Sequence, residues 1–236
     1  MNYPIQCYEF IGIWGSGKTT LISDVSKKLV DNGLVVKKFP DFDKESKLKR
    51  YYIIFFFILK NPLHATKLLY LLIKMFYKLK PLDKLQIQIF KTLFKRILIK
   101  DIMIDKNTDI FFSEGVLHLL TMFNKMNKLS VKEILFCVNG KFLSKLNYAV
   151  HIRIDKDIAL RNIIKDNKNS YFRFNKIDFD NLENLFNRML ANESLIRKII
   201  HSSKINIFDI YGSAPFSKKA NYLFNFVKDN IKSTKY

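Results

Sequence analysis

Eight consecutive residues near the start of the chain have the types and spacing of a phosphate-binding loop, G-x-x-x-x-G-K-[ST]. In such a loop the glycines let backbone N–H groups turn toward phosphate oxygens, and a following helix points its N-terminus at the negative charge. The Lys18 ammonium would bridge the terminal phosphates, and the Thr19 hydroxyl is a ligand type that Mg²⁺ accepts. The predicted nucleotide-binding residues are Gly12, Gly15, Ser16, Gly17, Lys18, Thr19 and Thr20.

A carboxylate after a later strand is the second candidate for chemistry. Glu114 lies two residues after the predicted strand 109–112, and ligands of parallel sheets bind at the carboxyl ends of the strands. We expect Glu114 to hold the water shell of Mg²⁺ or to accept the proton of an attacking hydroxyl. The alternative is a first-turn acid that the helix dipole favours. Asp41, after the second predicted strand, remains a second candidate for the base.

A polar, basic segment between two predicted helices is the third candidate. Arg161 and Arg173 lie at its two ends, with Lys165 and Lys168 between them. Mobile cations that close over a transferring phosphoryl group stabilise its charge and exclude water. We therefore predict a lid-like loop at 161–176, with a solvated basic loop as the alternative.

The elements that position these residues alternate along the chain. Apolar runs predict strands at 7–13, 34–39, 109–112, 148–154 and 205–210, and helical patterns separate them. Strands that alternate with helices form right-handed crossovers and a parallel sheet covered on both faces. The sequence thus predicts one α/β domain over 1–236, with five parallel strands and a helical insertion at 44–104 after the second strand.

The loop from Phe10 to Thr20, the acid at Glu114 and the lid arginines resemble the thymidylate-kinase-like P-loop kinases, a group of nucleoside and nucleotide kinases. The resemblance implies a three-layer P-loop NTPase fold and ATP with Mg²⁺ as the phosphate donor. It implies transfer of the γ-phosphate to a nucleotide, nucleoside, sugar or related small acceptor. Thymidylate kinases follow the strand-end acid with arginine, whereas Glu114 precedes Gly115. This Glu-Gly form is similar to thymidylate-kinase-like proteins associated with surface-polysaccharide gene sets.

The same resemblance assigns roles to individual residues. It implies catalytic roles for Lys18, Glu114, Arg161 and Arg173, and metal binding by Thr19 and Glu114. Homodimers are common among similar kinases, so a homodimer is an expectation by analogy alone. The competing interpretation is a P-loop ATPase or switch protein that acts on a membrane surface or a protein partner and has no small acceptor.

The predicted insertion is strongly basic. Residues 44–100 hold fourteen Lys or Arg against Glu45 and Asp83. Lysines at 60, 67, 74 and 78 share one helix face, and a broad apolar face includes Leu69 and Ile73. We expect the apolar face to be buried and the lysines to lie in water. Binding to an anionic membrane surface through 51–104 is the first alternative. Nucleic acid is disfavoured because no recognition motif is present.

Composition bears on the possible binding partners and on the cellular compartment. The chain has 41 Lys and Arg against 21 Asp and Glu, a net charge of +20, but A/T-rich codon usage would also raise lysine. Only 2 cysteines occur, which favours a reducing, cytoplasmic compartment. Peripheral attachment to the inner face of a membrane remains the alternative. We see no signal-peptide pattern, and the longest apolar run, at 51–59, is too short for a membrane-spanning helix.

Overall fold

The computed structural model describes most of the chain. The described residues are 6–38, 52, 55, 59, 62–78, 86–89, 92–93, 109–113, 115–123, 126–138, 143, 146–165 and 179–233. Of the candidate site residues, Asp41, Glu114, Lys168 and Arg173 lie outside these ranges, as do Lys60, Glu45 and Asp83 of the insertion.

The strands form one parallel sheet, as the alternating pattern predicts. They are β1 (Cys7–Ile11), β2 (Val36–Lys38), β3 (Asp109–Phe112), β4 (Tyr148–Arg153) and β5 (Asn206–Tyr211). Their order across the sheet is β2-β3-β1-β4-β5, and every neighbouring pair is parallel. The first strand ends two residues before the predicted Ile13, because Gly12 already leaves the extended conformation with a φ of 148°.

Helices cover both faces of this sheet. They are α1 (Lys18–Asp31), α2 (Pro62–Lys78), α3 (Val116–Thr121), α4 (Val131–Val138), α5 (Lys156–Lys165), α6 (Phe179–Ser202) and α7 (Phe216–Ser233). One face packs against α1 and α7, and the other packs against α3 and α6. Because α2 follows β2 and precedes β3, the predicted position of the insertion is confirmed.

The central strand β1 is buried on both faces, and its side chains alternate between two cores. Tyr8 and Phe10 join the core under α1 and α7, where the Tyr8 ring packs edge-on against Phe111 at 5.3 Å. Burial raises the pKa of the Tyr8 hydroxyl far above its usual range. Cys7 and Ile11 join the opposite core, under α3 and α6. Between them in the strand lies Glu9, which is 0% exposed.

Helix α4 was not predicted, although its start carries a capping box, S-x-x-E. The Ser130 backbone N–H donates to a Glu133 carboxylate oxygen at 2.8 Å, and the Glu133 N–H donates to the Ser130 hydroxyl at 3.2 Å. The same Glu133 carboxylate accepts ion pairs at 2.8 Å from Lys74 and Lys78 of α2. Hydrogen bonds from these two lysines hold the pKa of Glu133 well below its usual range.

These contacts overturn the expected orientation of the insertion helix. Lys74 and Lys78 lie against α4 instead of projecting freely into water, because the capped Glu133 holds them there. The side chains of Leu69 and Ile73, which the sequence places on a buried face, are exposed. The prediction of a buried apolar face is therefore wrong for these two residues.

Candidate phosphate-binding site

The loop between β1 and α1 has the backbone shape that its glycines predict. Gly15 and Gly17 have φ values of 74° and 80°, in the left-handed region that favours glycine. The loop also lies against neighbouring backbone. A Cβ on Gly15 would meet the carbonyl oxygen of Ala159 at 2.3 Å, and a Cβ on Gly12 would meet that of Ile152 at 2.6 Å. Close packing against β4 and α5 therefore fixes the loop.

Lys18 is the buried cation of this loop. Its Nζ donates hydrogen bonds to the carbonyl oxygens of Gly12 at 2.7 Å and Ile13 at 2.9 Å, and to the Ser16 hydroxyl at 3.3 Å. Lys18 belongs to the first turn of α1, yet its side chain folds back into the loop and is buried. An ammonium buried in a glycine-rich loop at the start of a helix is suited to bind an anion such as a phosphate.

Helix α5 supports the loop in a way that the sequence did not indicate. The Asn162 side-chain Nδ2 donates to the carbonyl oxygen of Gly15 at 2.9 Å. Arg161, the neighbouring residue, is exposed, and its Nε donates to the carbonyl oxygen of Asp157 in its own helix at 3.3 Å. The predicted lid thus begins on a helix that contacts the phosphate loop. Arg161 is positioned at the protein surface there, while its predicted partner Arg173 is outside the described residues.

The hydroxyl groups of the loop differ in exposure. Ser16 is buried beside Lys18, whereas Thr19 and Thr20 are exposed in the first turn of α1. A Mg²⁺ ion that binds with a nucleotide takes one or two protein oxygens and completes its octahedron with phosphates and water. The accessible Thr19 hydroxyl fits that requirement. No group of three or more His, Cys, Asp or Glu within the described ranges could hold a metal ion by itself.

A buried acid that sequence reasoning missed lies beneath this region. One Glu9 carboxylate oxygen, Oε1, accepts the backbone N–H of His118 at 2.9 Å. Gly115 is the N-cap of α3, and no side chain of its own caps that helix. His118 is the third residue of α3, so its N–H is one of the donors that a helix start leaves unpaired. Glu9 thus caps α3 from the neighbouring strand.

The same contact explains why glycine follows Glu114. A Cβ on Gly115 would meet the Glu9 Cδ at 2.2 Å and both carboxylate oxygens at 2.5 Å. The backbone of Gly115 is extended, with φ −87° and ψ −162°, so any residue could adopt it. Glycine is therefore favoured at position 115 because Glu9 occupies the space that a Cβ would need. The backbone conformation alone would allow other residues. The only sequence signal for Glu9 is an acid inside the apolar run Cys7 to Ile11.

His118 is a packed, neutral histidine. Its side chain is buried, and within the described part of the chain neither ring nitrogen makes a hydrogen bond. Burial lowers the pKa of His118 well below its usual value, and the nearby Lys18 charge lowers it further. The His118 ring is therefore a packed side chain that lies within electrostatic reach of the loop cation.

A group of charged side chains from β4, β5 and α6 lies at the edge of the sheet. Arg197 donates to Asp209 at 2.6 Å and to Glu193 at 3.2 Å, and its Nη2 lies 2.9 Å from the His151 Nδ1. Arg153 pairs with Glu193 and Asp209 at 3.3 Å each. Burial lowers the pKa of His151, and the positive charge of Arg197 also lowers it, while Glu193 and Asp209 act in the opposite direction. His151 is therefore a neutral acceptor for Arg197.

This group borders a cavity of about 220 Å³ between the sheet and α6. Gly12 and Ile13 of the phosphate loop line one end, and Met189 and Ile196 of α6 line its wall. The cavity thus reaches the back of the phosphate loop. No spacing pattern in the sequence indicates it, because its walls come from separate elements.

Comparison with known proteins bears on the fold. No protein-family model matches the chain, and no curated protein sequence matches it. The chain is similar in structure to deoxyadenosine kinase from M. mycoides with bound dATP, with a TM-score of 0.54 and 16% sequence identity. The match covers 94% of this chain and 100% of that chain. The five parallel strands, the helices on both faces and this match together show that the chain has the three-layer P-loop NTPase fold.

Proposed function

We propose that the protein is an ATP-dependent kinase that uses Mg²⁺ and transfers the γ-phosphate to a small-molecule acceptor. The observation that carries the proposal is the buried Lys18 ammonium inside the glycine loop, bonded to the Gly12 and Ile13 carbonyl oxygens. Phosphoryl transfer needs positioning and charge stabilisation more than covalent chemistry, and such a loop supplies both. The fold match with a nucleoside kinase is consistent with this activity.

The predicted site residues take the following roles in the proposal. Lys18 neutralises the β- and γ-phosphates, and Thr19 ligates Mg²⁺, which supplies charge stabilisation to the phosphates when bound. Glu114 orders the metal's water shell or accepts the acceptor's proton, with Asp41 as the alternative base. Arg161 and Arg173 close over the transferring group.

The acceptor class rests on two resemblances. The structural neighbour is named for deoxyadenosine, which makes a nucleoside the first acceptor to test. The Glu114-Gly115 sequence is similar to proteins associated with surface-polysaccharide gene sets, which makes a sugar or lipid-linked sugar the second. Gly115 is required by Glu9, however, and so the Glu-Gly form is a weak indicator of the acceptor.

The test is transfer of labelled γ-phosphate from ATP with Mg²⁺ to a panel of nucleosides, nucleoside monophosphates, sugars and lipid-linked sugars. The wild type should label one class, and Lys18→Ala should lower the rate by at least about 10²-fold, the usual effect of removing one preorganised charge donor. Lys27→Ala is the matched control, because Lys27 is an exposed lysine of the same helix. It should keep the wild-type rate.

The same assay distinguishes the competing interpretation. A switch protein or ATPase would release inorganic phosphate at a rate that no acceptor changes. Equal labelling by the wild type and Lys18→Ala would refute the role of Lys18. Thermal unfolding of both variants shows whether each one is folded.

A further inference from the structure

Helix α2 exposes a stripe of large apolar side chains. Leu63, Tyr70, Ile73 and Tyr77 follow one another at spacings of 7, 3 and 4 residues, which places them on one helix face. Leu63 is 81% exposed and Tyr77 is 70% exposed, and the other two are about half exposed. Leu69, which is also exposed, extends this stripe on one side. We call these five residues the apolar stripe.

Three more large apolar side chains precede α2 in the sequence. Tyr52, Phe55 and Leu59 are helical, are spaced by 3 and 4 residues, and are each about 60% exposed. Large apolar side chains scattered singly on a surface need no explanation, but eight exposed ones within 26 residues mark an interaction surface.

Helix α2 contacts α4 on the side that carries its lysines. Lys74 and Lys78 pair with Glu133 of α4. The Lys74 ammonium also lies 5.6 Å from the centre of the Tyr70 ring, at the border of the stripe. Ile73 and Tyr77 remain exposed beside these ion pairs.

Charge decides what kind of partner covers the stripe. Residues 46–82 contain eight Lys or Arg and no Asp or Glu. A two-fold contact between two copies through this segment would bring like charges together, which is unfavourable. An anionic lipid surface would satisfy both the apolar side chains and the positive charge.

We propose that the apolar stripe binds the surface of a membrane that contains anionic lipid. The helix lies in the plane of the interface, with Tyr70, Ile73 and Tyr77 among the headgroups. It does not span the membrane: no helix in the described ranges has the length and apolarity for a crossing. This inference does not depend on the proposed kinase activity.

The test is sedimentation of the full chain with vesicles of phosphatidylcholine, with and without about 30% phosphatidylserine. The wild type should sediment with the anionic vesicles, bind neutral vesicles at least about tenfold more weakly, and be released in part by high salt. The double variant Ile73→Ser with Tyr77→Ser should lose at least about tenfold of the binding to anionic vesicles.

Tyr222→Ser provides the matched control, because Tyr222 is a 58% exposed tyrosine on α7, outside the stripe. Its vesicle binding should stay within about twofold of the wild type. Equal loss in this control, or no binding of the wild type to anionic vesicles, would overturn the proposal. Light scattering that shows a dimer which the double variant separates, without vesicle binding, would assign the stripe to a second copy. All three changes are at exposed positions, so thermal unfolding should confirm intact folding.

Discussion

Gly115→Ala tests the contact between the buried acid and the start of α3. The new Cβ would lie 2.2 Å from the Glu9 Cδ, and Glu9 is 0% exposed and bonded to the His118 N–H at 2.9 Å. The end of a glutamate side chain usually moves easily, but here movement breaks a buried hydrogen bond. Overpacking a core costs about 1–3 kcal/mol, and a buried polar group left without its partner costs about 1–3 kcal/mol.

We therefore expect Gly115→Ala to lower the free energy of unfolding by about 3 kcal/mol. For a chain of this length that corresponds to a fall in Tm of roughly 6–12 °C. Urea unfolding followed by circular dichroism measures the change. In a Glu9→Ala background the clash is absent, and Gly115→Ala should cost only about 1 kcal/mol, the preference of an N-cap for glycine over alanine.

The coupling between the two changes should thus be about 2 kcal/mol. Gly33→Ala serves as the control, because Gly33 has a φ of 74° and a Cβ there meets nothing within 4 Å. Gly33→Ala should lower the free energy of unfolding through backbone strain alone, and by the same amount in the wild-type and the Glu9→Ala backgrounds. If Gly115→Ala costs equally in both backgrounds, the explanation of Gly115 by Glu9 is refuted.

Three further predictions concern other described contacts. Asn162→Ala removes the hydrogen bond to the Gly15 carbonyl and should lower kcat/KM for ATP about 3- to 10-fold, with little change in Tm. An unchanged kcat/KM would show that α5 does not position the phosphate loop through this bond. Because the folded-state pKa of His118 is lowered, the unfolded chain binds the proton first, and stability should fall by up to about 1.4 kcal/mol per pH unit below about 6.5. His118→Leu should make the unfolding free energy less dependent on pH between about 6.5 and 5, unlike the exposed-site control His201→Leu. The depressed pKa of Glu133 stabilises the fold above the usual glutamate range, so Glu133→Gln should destabilise at neutral pH and converge with the wild type in acid, as paired unfolding curves would show.

Much of the fold follows from local pattern. The strand at 109–112 is predicted to the residue, because three consecutive apolar residues lie between Asp109 and the polar residues that follow. The phosphate loop is also predicted from local sequence, because glycine readily adopts the positive φ values that the loop needs at these positions. Helix α4 escaped prediction because it has only 8 residues, and its capping box is the sole local signal.

What could not be predicted depends on contacts between distant elements. The role of Glu9 requires knowing that the third N–H of α3 lies beside β1, 109 residues away in sequence. The orientation of α2 depends on Glu133, 55 residues from Lys78. Periodicity shows which residues share a helix face, but it does not show which face meets another helix.

The destination of the γ-phosphate tests the central proposal most directly. In a single turnover with ATP, Mg²⁺ and the best acceptor, phosphorus NMR of the wild type should show ADP and the phosphorylated acceptor in equal amounts, as a phosphoester from a hydroxyl acceptor or a phosphoanhydride from a monophosphate. Lys18→Ala, checked for folding, should form this product at least about 10²-fold more slowly. Release of inorganic phosphate in place of this product, at a rate independent of every acceptor, would contradict the kinase proposal.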